Sequence, residues 1–127
     1  MSKKILVVED NPANKKLAVL LLTHEGYEVL QAANAADGIA IAQECQPAMI
    51  LMDIQLPDMD GLEATRLLKA DARTQNIIVV ALTAFAMAGD EERIRAAGCN
   101  GYIAKPIEYK AFLADVKRWL QENERIS

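Results

Sequence analysis

Four hydrophobic runs in this 127-residue chain stop at residues suited to cations and phosphate. Ile5-Leu6-Val7-Val8 runs into Glu9-Asp10, and Met49-Ile50-Leu51-Met52 runs into Asp53. Ile78-Val79-Val80-Ala81-Leu82 runs into Thr83, and Gly101-Tyr102-Ile103-Ala104 runs into Lys105-Pro106. Laid side by side as parallel strands, these runs deliver their polar ends to one edge of one sheet. Carboxylates gathered there repel one another unless something positive sits among them. Mg²⁺ suits the place, because it takes oxygen ligands in octahedral geometry and keeps several waters. With reference ionisation states, the negative charges of Glu9, Asp10 and Asp53 are balanced by Mg²⁺ together with Lys105. An acyl phosphate on Asp53 would add about one negative charge and three acceptor oxygens. The Thr83 hydroxyl and the Lys105 ammonium are the groups placed to answer them. A site neutral at rest and negative after modification can pull on its surroundings, which a switch requires.

The elements that must position these residues alternate along the chain. Strand-like runs fall at Lys4 to Val8, Glu28 to Gln31, Ala48 to Met52, Ile77 to Leu82 and Gly101 to Ala104. Helical stretches lie near Ala13 to His24, Ala35 to Glu44, Leu62 to Ala70, Asp90 to Ala97 and Tyr109 to Glu122. Such alternation reads as successive βα units. The first, third and fourth runs are apolar at nearly every position, the mark of parallel strands covered on both faces. Gly26, Gly98 and Gly101 follow helical stretches, where a left-handed cap favours glycine. Phe112, Val116, Trp119 and Leu120 form the core-facing stripe of the last helix. The fold class is α/β, a flavodoxin-like doubly wound three-layer sandwich of five βα units. In its sheet order, 2-1-3-4-5, strands 1 and 3 are neighbours and the crevice opens at their carboxyl ends.

Bulk properties narrow the function. A chain of this length fits one domain, residues 1–127, with room for a core. Hydrophobic content of 52% and charged content of 25% are those of an ordinary globule. A net charge of −4 argues against nucleic acid as a direct ligand. Neither a secretory signal nor a membrane span fits, so the expected location is cytoplasmic. Cys45 and Cys99 lack metal-ligand or redox spacing and read as buried reduced thiols. His24, the single histidine, sits at a helix end and is assigned no chemistry.

The segments ILVVED, ILMDIQLPDMDG, ALTA and YIAKP, in this order and covering essentially the whole chain, resemble the receiver domains of two-component response regulators. The likeness extends to the stand-alone DivK type, in which the receiver is the entire protein. The resemblance implies that Asp53 is the phosphorylation site, taking its phosphoryl group from the phosphohistidine of a histidine kinase or histidine phosphotransfer protein. It implies that Asp10, Asp53 and the backbone carbonyl of Gln55 hold Mg²⁺, with Glu9 acting through water. Thr83 and Lys105 would contact the phosphoryl oxygens, and small Ala84 would leave room for them. Tyr102 would turn inward as Thr83 moves, and the Lys105-Pro106 peptide would be cis. The acidic pair is Glu-Asp where Asp-Asp is commoner, a change that bears on Mg²⁺ affinity. Phosphoryl transfer depends mostly on positioning and charge stabilisation, so these groups suffice.

Two local expectations accompany this reading. On the first helix, Val19 and Leu20 point away from a core formed by Leu17, Ala18 and Leu21, and would dock a helical histidine-bearing partner. Gln55 and Phe85 flank the phosphoryl site, and Phe85 would hinder the attacking water. An aspartyl phosphohydrolase would want a second carboxylate where Gln55 stands. A calcium loop at Asp58-Met59-Asp60-Gly61 lacks its closing Glu, since Leu67 stands there. The missing glycine-rich cradle argues against an ATPase, and a flavin carrier would need neither Lys105 nor the acidic cluster. No DNA-binding module follows the last helix. Output therefore falls to a downstream protein effector, through Asp90 to Ala97, Tyr102 and the final helix.

Overall fold

The computed structural model describes residues 3–84 and 89–126. In chain order the elements are β1 (Lys4–Val8), α1 (Pro12–His24), β2 (Glu28–Ala32), α2 (Ala35–Cys45) and β3 (Met49–Asp53). They continue with α3 (Gly61–Ala70), β4 (Ile78–Thr83), α4 (Asp90–Ala96), β5 (Gly101–Ala104) and α5 (Tyr109–Ile126). The strands form one parallel sheet in the order β2-β1-β3-β4-β5. Every residue of β3 and β4 is buried, as unbroken apolar runs require.

Period-two alternation splits these strands between two cores. Leu6, Val8, Ile50 and Met52 pack with Ala42, Leu68 and Ile94 on the α2–α3–α4 face. Ile5, Val7, Met49 and Leu51 pack with Leu22, Phe112 and Val116 on the α1–α5 face. The stripe of α5 is buried as expected, with Trp119 half-buried beside it.

Both site-bearing central strands reach one residue further than their apolar runs. Asp53 and Thr83 are ladder residues because hydrogen bonding continues past them: Ile54 N–H donates to the Leu82 carbonyl (3.1 Å) and Lys105 N–H to the Thr83 carbonyl (2.8 Å).

Four sequence expectations need correction. Leu17 is not a core residue of α1 but 39% exposed; fully buried Leu22 joins Ala18 in the core instead. Leu20 points outward as expected, whereas Val19 is half-buried against the α1–α5 core. Gly26 and Gly98 do adopt positive φ (93° and 104°), but Gly101 does not. Its reason is space, since a Cβ there would collide with the Trp119 ring. Finally, Cys99 is buried while Cys45 is only half-buried; both thiols are free.

Candidate metal and phosphoryl site

Parallel register brings the polar strand ends to one level. Val8 pairs with Met52, Asp53 with Leu82, and Thr83 with Ala104. Glu9 and Lys105 therefore emerge beside Asp53 and Thr83 at the carboxyl edge. Glu9 (1% exposed), Asp53 (4%) and Thr83 (4%) are buried. Asp10 is exposed and Lys105 half-buried. One oxygen from each of Glu9, Asp10 and Asp53 lies within 4.8 Å of the others. Such an all-carboxylate donor set fits a hard divalent cation and suits softer, thiolate- or imidazole-seeking metals poorly.

Local structure fixes each group. Asn11 caps α1 by accepting from Asn14 N–H (3.0 Å), and Pro12 opens the helix where its missing N–H costs nothing. The chain therefore turns immediately after Asp10, and Asn11 N–H points at Glu9 Oε2 (3.4 Å). Asp53 Oδ1 accepts from Gln55 N–H at 3.0 Å. Behind Asp53 the main chain passes so close to Gly61 that a Cβ there would collide with the Asp53 carbonyl oxygen. Glycine is the residue that permits this approach.

Lys105 Nζ lies 2.6 Å from Glu9 Oε1 and 3.0 Å from Asp53 Oδ2. Burial, then the adjoining Asp53 carboxylate, pushes the Glu9 carboxyl up to about 7, against the opposing pull of Lys105. Burial works to lower the Lys105 ammonium, but hydrogen bonds and charge from Glu9 and Asp53 outweigh it and hold its pKa above the ordinary value. The Lys105-Pro106 peptide is cis.

A cavity of about 480 Å³ opens beside Asp53, lined also by Gln55, Asp60, Thr83, Ala84 and Arg93. Gln55 and Ala84 are exposed at its wall. Tyr102 is half-buried against the α2–α4 core. Phe85 lies outside the described residues. The sequence reading did not assign two lining residues, Asp60 and Arg93, to this site. Asp60 caps α3 by accepting from Leu62 N–H (2.7 Å), a role signalled by an aspartate just before a helix start. Arg93 pairs with Asp90 at 3.4 Å, and its only sequence signal was that i,i+3 spacing.

The model of the response regulator receiver domain matches residues 5–117. The chain belongs to that family. This receiver is 48% identical to the polar-differentiation response regulator DivK of Brucella anthropi, over 94% of this chain and 98% of the relative. Among solved structures, a CheY-like receiver domain protein from Methanospirillum hungatei is similar at TM-score 0.91 and 32% identity, covering 100% of both chains. The receiver domain of a sensor histidine kinase from Pseudomonas aeruginosa, with magnesium coordinated in its active-site cleft, is similar at TM-score 0.88 and 36% identity. That match covers 95% of this chain and 99% of the other. As a receiver, the protein works in two-component phosphorelay signalling. It is a signalling domain with an acidic cluster able to take a metal.

Proposed function

We propose that residues 1–127 form one receiver domain that accepts a phosphoryl group on Asp53 from a phosphohistidine. The carrying observation is the convergence of Glu9, Asp10 and Asp53 oxygens within 4.8 Å, with Lys105 Nζ set between two of them. In the transfer, an Asp53 carboxylate oxygen forms the new bond to phosphorus. The phosphorus–nitrogen bond breaks, and its electron pair stays on the histidine. Asp10, Asp53 and the Gln55 carbonyl would hold magnesium, with Glu9 acting through water, and the ion would supply charge neutralisation for the phosphoryl oxygens. Magnesium in the cleft of the Pseudomonas receiver supports this choice of metal.

Lys105 and Thr83 bind the phosphoryl oxygens, and Ala84 leaves them room. Their engagement draws Thr83 toward Asp53 and lets Tyr102 settle inward, which changes the surface offered to a downstream protein effector. Beyond its own phosphorylation and slow dephosphorylation the domain catalyses nothing. Its setting is the cytoplasm; among the described residues no helix is long and apolar enough to cross a membrane.

The donor is a histidine kinase or phosphotransfer protein whose helix seats on α1. Leu20, 63% exposed, lines a groove of about 400 Å³ with Pro12, Lys15, Val19 and Gln31. This groove begins two residues past Asp10, so a helix lying in it would present its phosphohistidine to the cleft. Leu20→Glu should slow transfer from the protein donor at least tenfold while leaving labelling by a small phosphodonor unchanged. Equal slowing with both donors would remove the docking idea.

To test the acceptor itself, the protein is incubated with Mg²⁺ and acetyl phosphate and the modified residue located by mass spectrometry. Phosphate should map to Asp53, vanish in Asp53→Asn and require the metal. Labelling that persists at that peptide in the variant refutes the assignment.

A further inference from the structure

We propose that Asp58 is a positioning residue of the acceptor site, clamping the loop between β3 and α3 onto the start of α2 and so holding the main chain of Gln55 toward the metal. This deepens the receiver reading above and rests on it.

The loop runs from Ile54 to Asp60, and Gln55 joins it to the site. Gln55 N–H donates to Asp53 Oδ1 at 3.0 Å, and the Gln55 carbonyl is the metal ligand assigned above. At its base the loop is held by Gly61 N–H to the Ile54 carbonyl (2.8 Å) and by an antiparallel bridge between Gln55 and Asp60. Ile54, Leu56 and Met59 pack against the α2–α4 core. The tip is held differently. Asp58 Oδ1 accepts from Ala35 N–H at 2.8 Å and Oδ2 from Ala36 N–H at 2.9 Å, across 23 and 22 residues of sequence.

Those two N–H groups open α2, where a helix has no internal partner for them. The next, Asp37 N–H, is already met by Asn34 Oδ1 at 2.8 Å. Because α2 follows the parallel strand β2, it starts at the same sheet edge as the site, within reach of the loop tip. Asp58 thus completes the cap of a helix that is not its own. The donated amides also hold its carboxyl below the ordinary carboxylate value.

The division of labour follows from where each group can turn. If Asp58 is removed, the exposed Ala36 N–H can turn to water, and the N–H of buried Ala35, at the helix end, reaches water through the space the carboxylate leaves. The loop has no such substitute, because its tip loses both anchors at once. Loss of Asp58 should therefore fall on the geometry around Gln55 more than on α2. An aspartate serving merely as a cap would do the reverse.

The test measures Mg²⁺ binding by calorimetry and amide hydrogen exchange in metal-free protein for the full chain, Asp58→Ala and Asp58→Asn. Asp58→Ala should weaken Mg²⁺ about tenfold, the low end of the loss seen when a partner behind a metal ligand is removed. Asp58→Asn, which keeps one acceptor oxygen, should weaken it less. Amides of residues 54–60 should exchange faster in the alanine variant, with α2 beyond its first turn unchanged. A dissociation constant within twofold of wild type, or faster exchange confined to α2, overturns the clamp while leaving the receiver reading intact. A wild-type protein that binds no magnesium takes down both.

Discussion

Two half-buried lysines stand at opposite edges of the sheet. Lys105, just past β5, sets its ammonium between the Glu9 and Asp53 carboxylates. Lys69, near the end of α3, donates to the Ile77 carbonyl at 2.6 Å, the Gln75 carbonyl at 3.3 Å and Asn100 Oδ1 at 3.4 Å. Both pay the desolvation of a partly buried charge, yet their pKa values move in opposite directions. Burial lowers Lys69 because its acceptors are neutral oxygens, whereas the paired carboxylates raise Lys105 in spite of burial. Lys69 is a clip joining the α3–β4 connection to the start of β5. Lys105 neutralises anions that a divalent cation and a phosphoryl group can also engage. Partner charge, more than burial, separates a movable site from a fixed joint.

Replacing each lysine by methionine sharpens this contrast most. Lys105→Met leaves two adjoining buried carboxylates without their cation. Breaking a buried pair costs about 3–5 kcal/mol; the raised Glu9 carboxyl can take up a proton instead, so a loss of about 3 kcal/mol is expected at pH 7. Millimolar Mg²⁺ should recover most of it by binding the folded state, and labelling of Asp53 should drop by at least tenfold. Lys69→Met strands the part-buried Ile77 carbonyl, at roughly 1–3 kcal/mol, and Mg²⁺ should stabilise this variant and wild type alike, leaving the gap between them unchanged. Urea unfolding with and without the metal separates the two. A gap to wild type that Mg²⁺ narrows equally in both variants breaks the comparison.

Two glycines extend it. At Gly61 an added methyl meets the Asp53 backbone, which cannot retreat without moving the acceptor. Gly61→Ala should cost roughly 1–3 kcal/mol of overpacking and reduce acetyl phosphate labelling about tenfold or more. At Gly98, with φ of 104°, the same methyl meets Lys69 Cγ at 2.8 Å. Gly98→Ala should lower stability through backbone strain by about 1–2 kcal/mol with labelling per folded molecule unchanged.

Legibility in the sequence differs between the two edges for physical reasons. The carboxyl edge could be read because apolar runs stop abruptly at Glu9, Asp53, Thr83 and Lys105, and parallel register needs no further information to align them. What could not be read was contact detail. The ion pair of Lys105 with Glu9 spans 96 residues of sequence, and nothing local specifies it. Asp58 appeared only within an acidic cluster, because its partners, Ala35 and Ala36, donate backbone groups that leave no side-chain signature. On α1 an unbroken apolar run hid the helical phase, so Leu17 was assigned inward and Leu22 overlooked. Lys69 gave no signal either, since a lysine late in a helix usually reaches solvent and the carboxyl end of the helix.

Acid titration separates the scaffold edge from the site by its smallest expected effect. Asp71, which ends α3 near Lys69, is held at about 2 by the Arg73 side chain, assisted by Arg73 N–H and by Gln43. Its folded pKa lies below its ordinary value of 3.8, so the folded state binds the proton less readily. The stabilisation is therefore present above about 3.8 and is lost as pH falls through about 2. Because Arg73 is largely exposed, screening keeps the effect small. Asp71→Asn should melt slightly below wild type at pH 7, with a narrower gap at pH 3, and Mg²⁺ should leave that gap unchanged. A gap that widens on acidification would mean that Asp71 holds its partners as a neutral acid, contrary to the charged hydrogen bonds it makes.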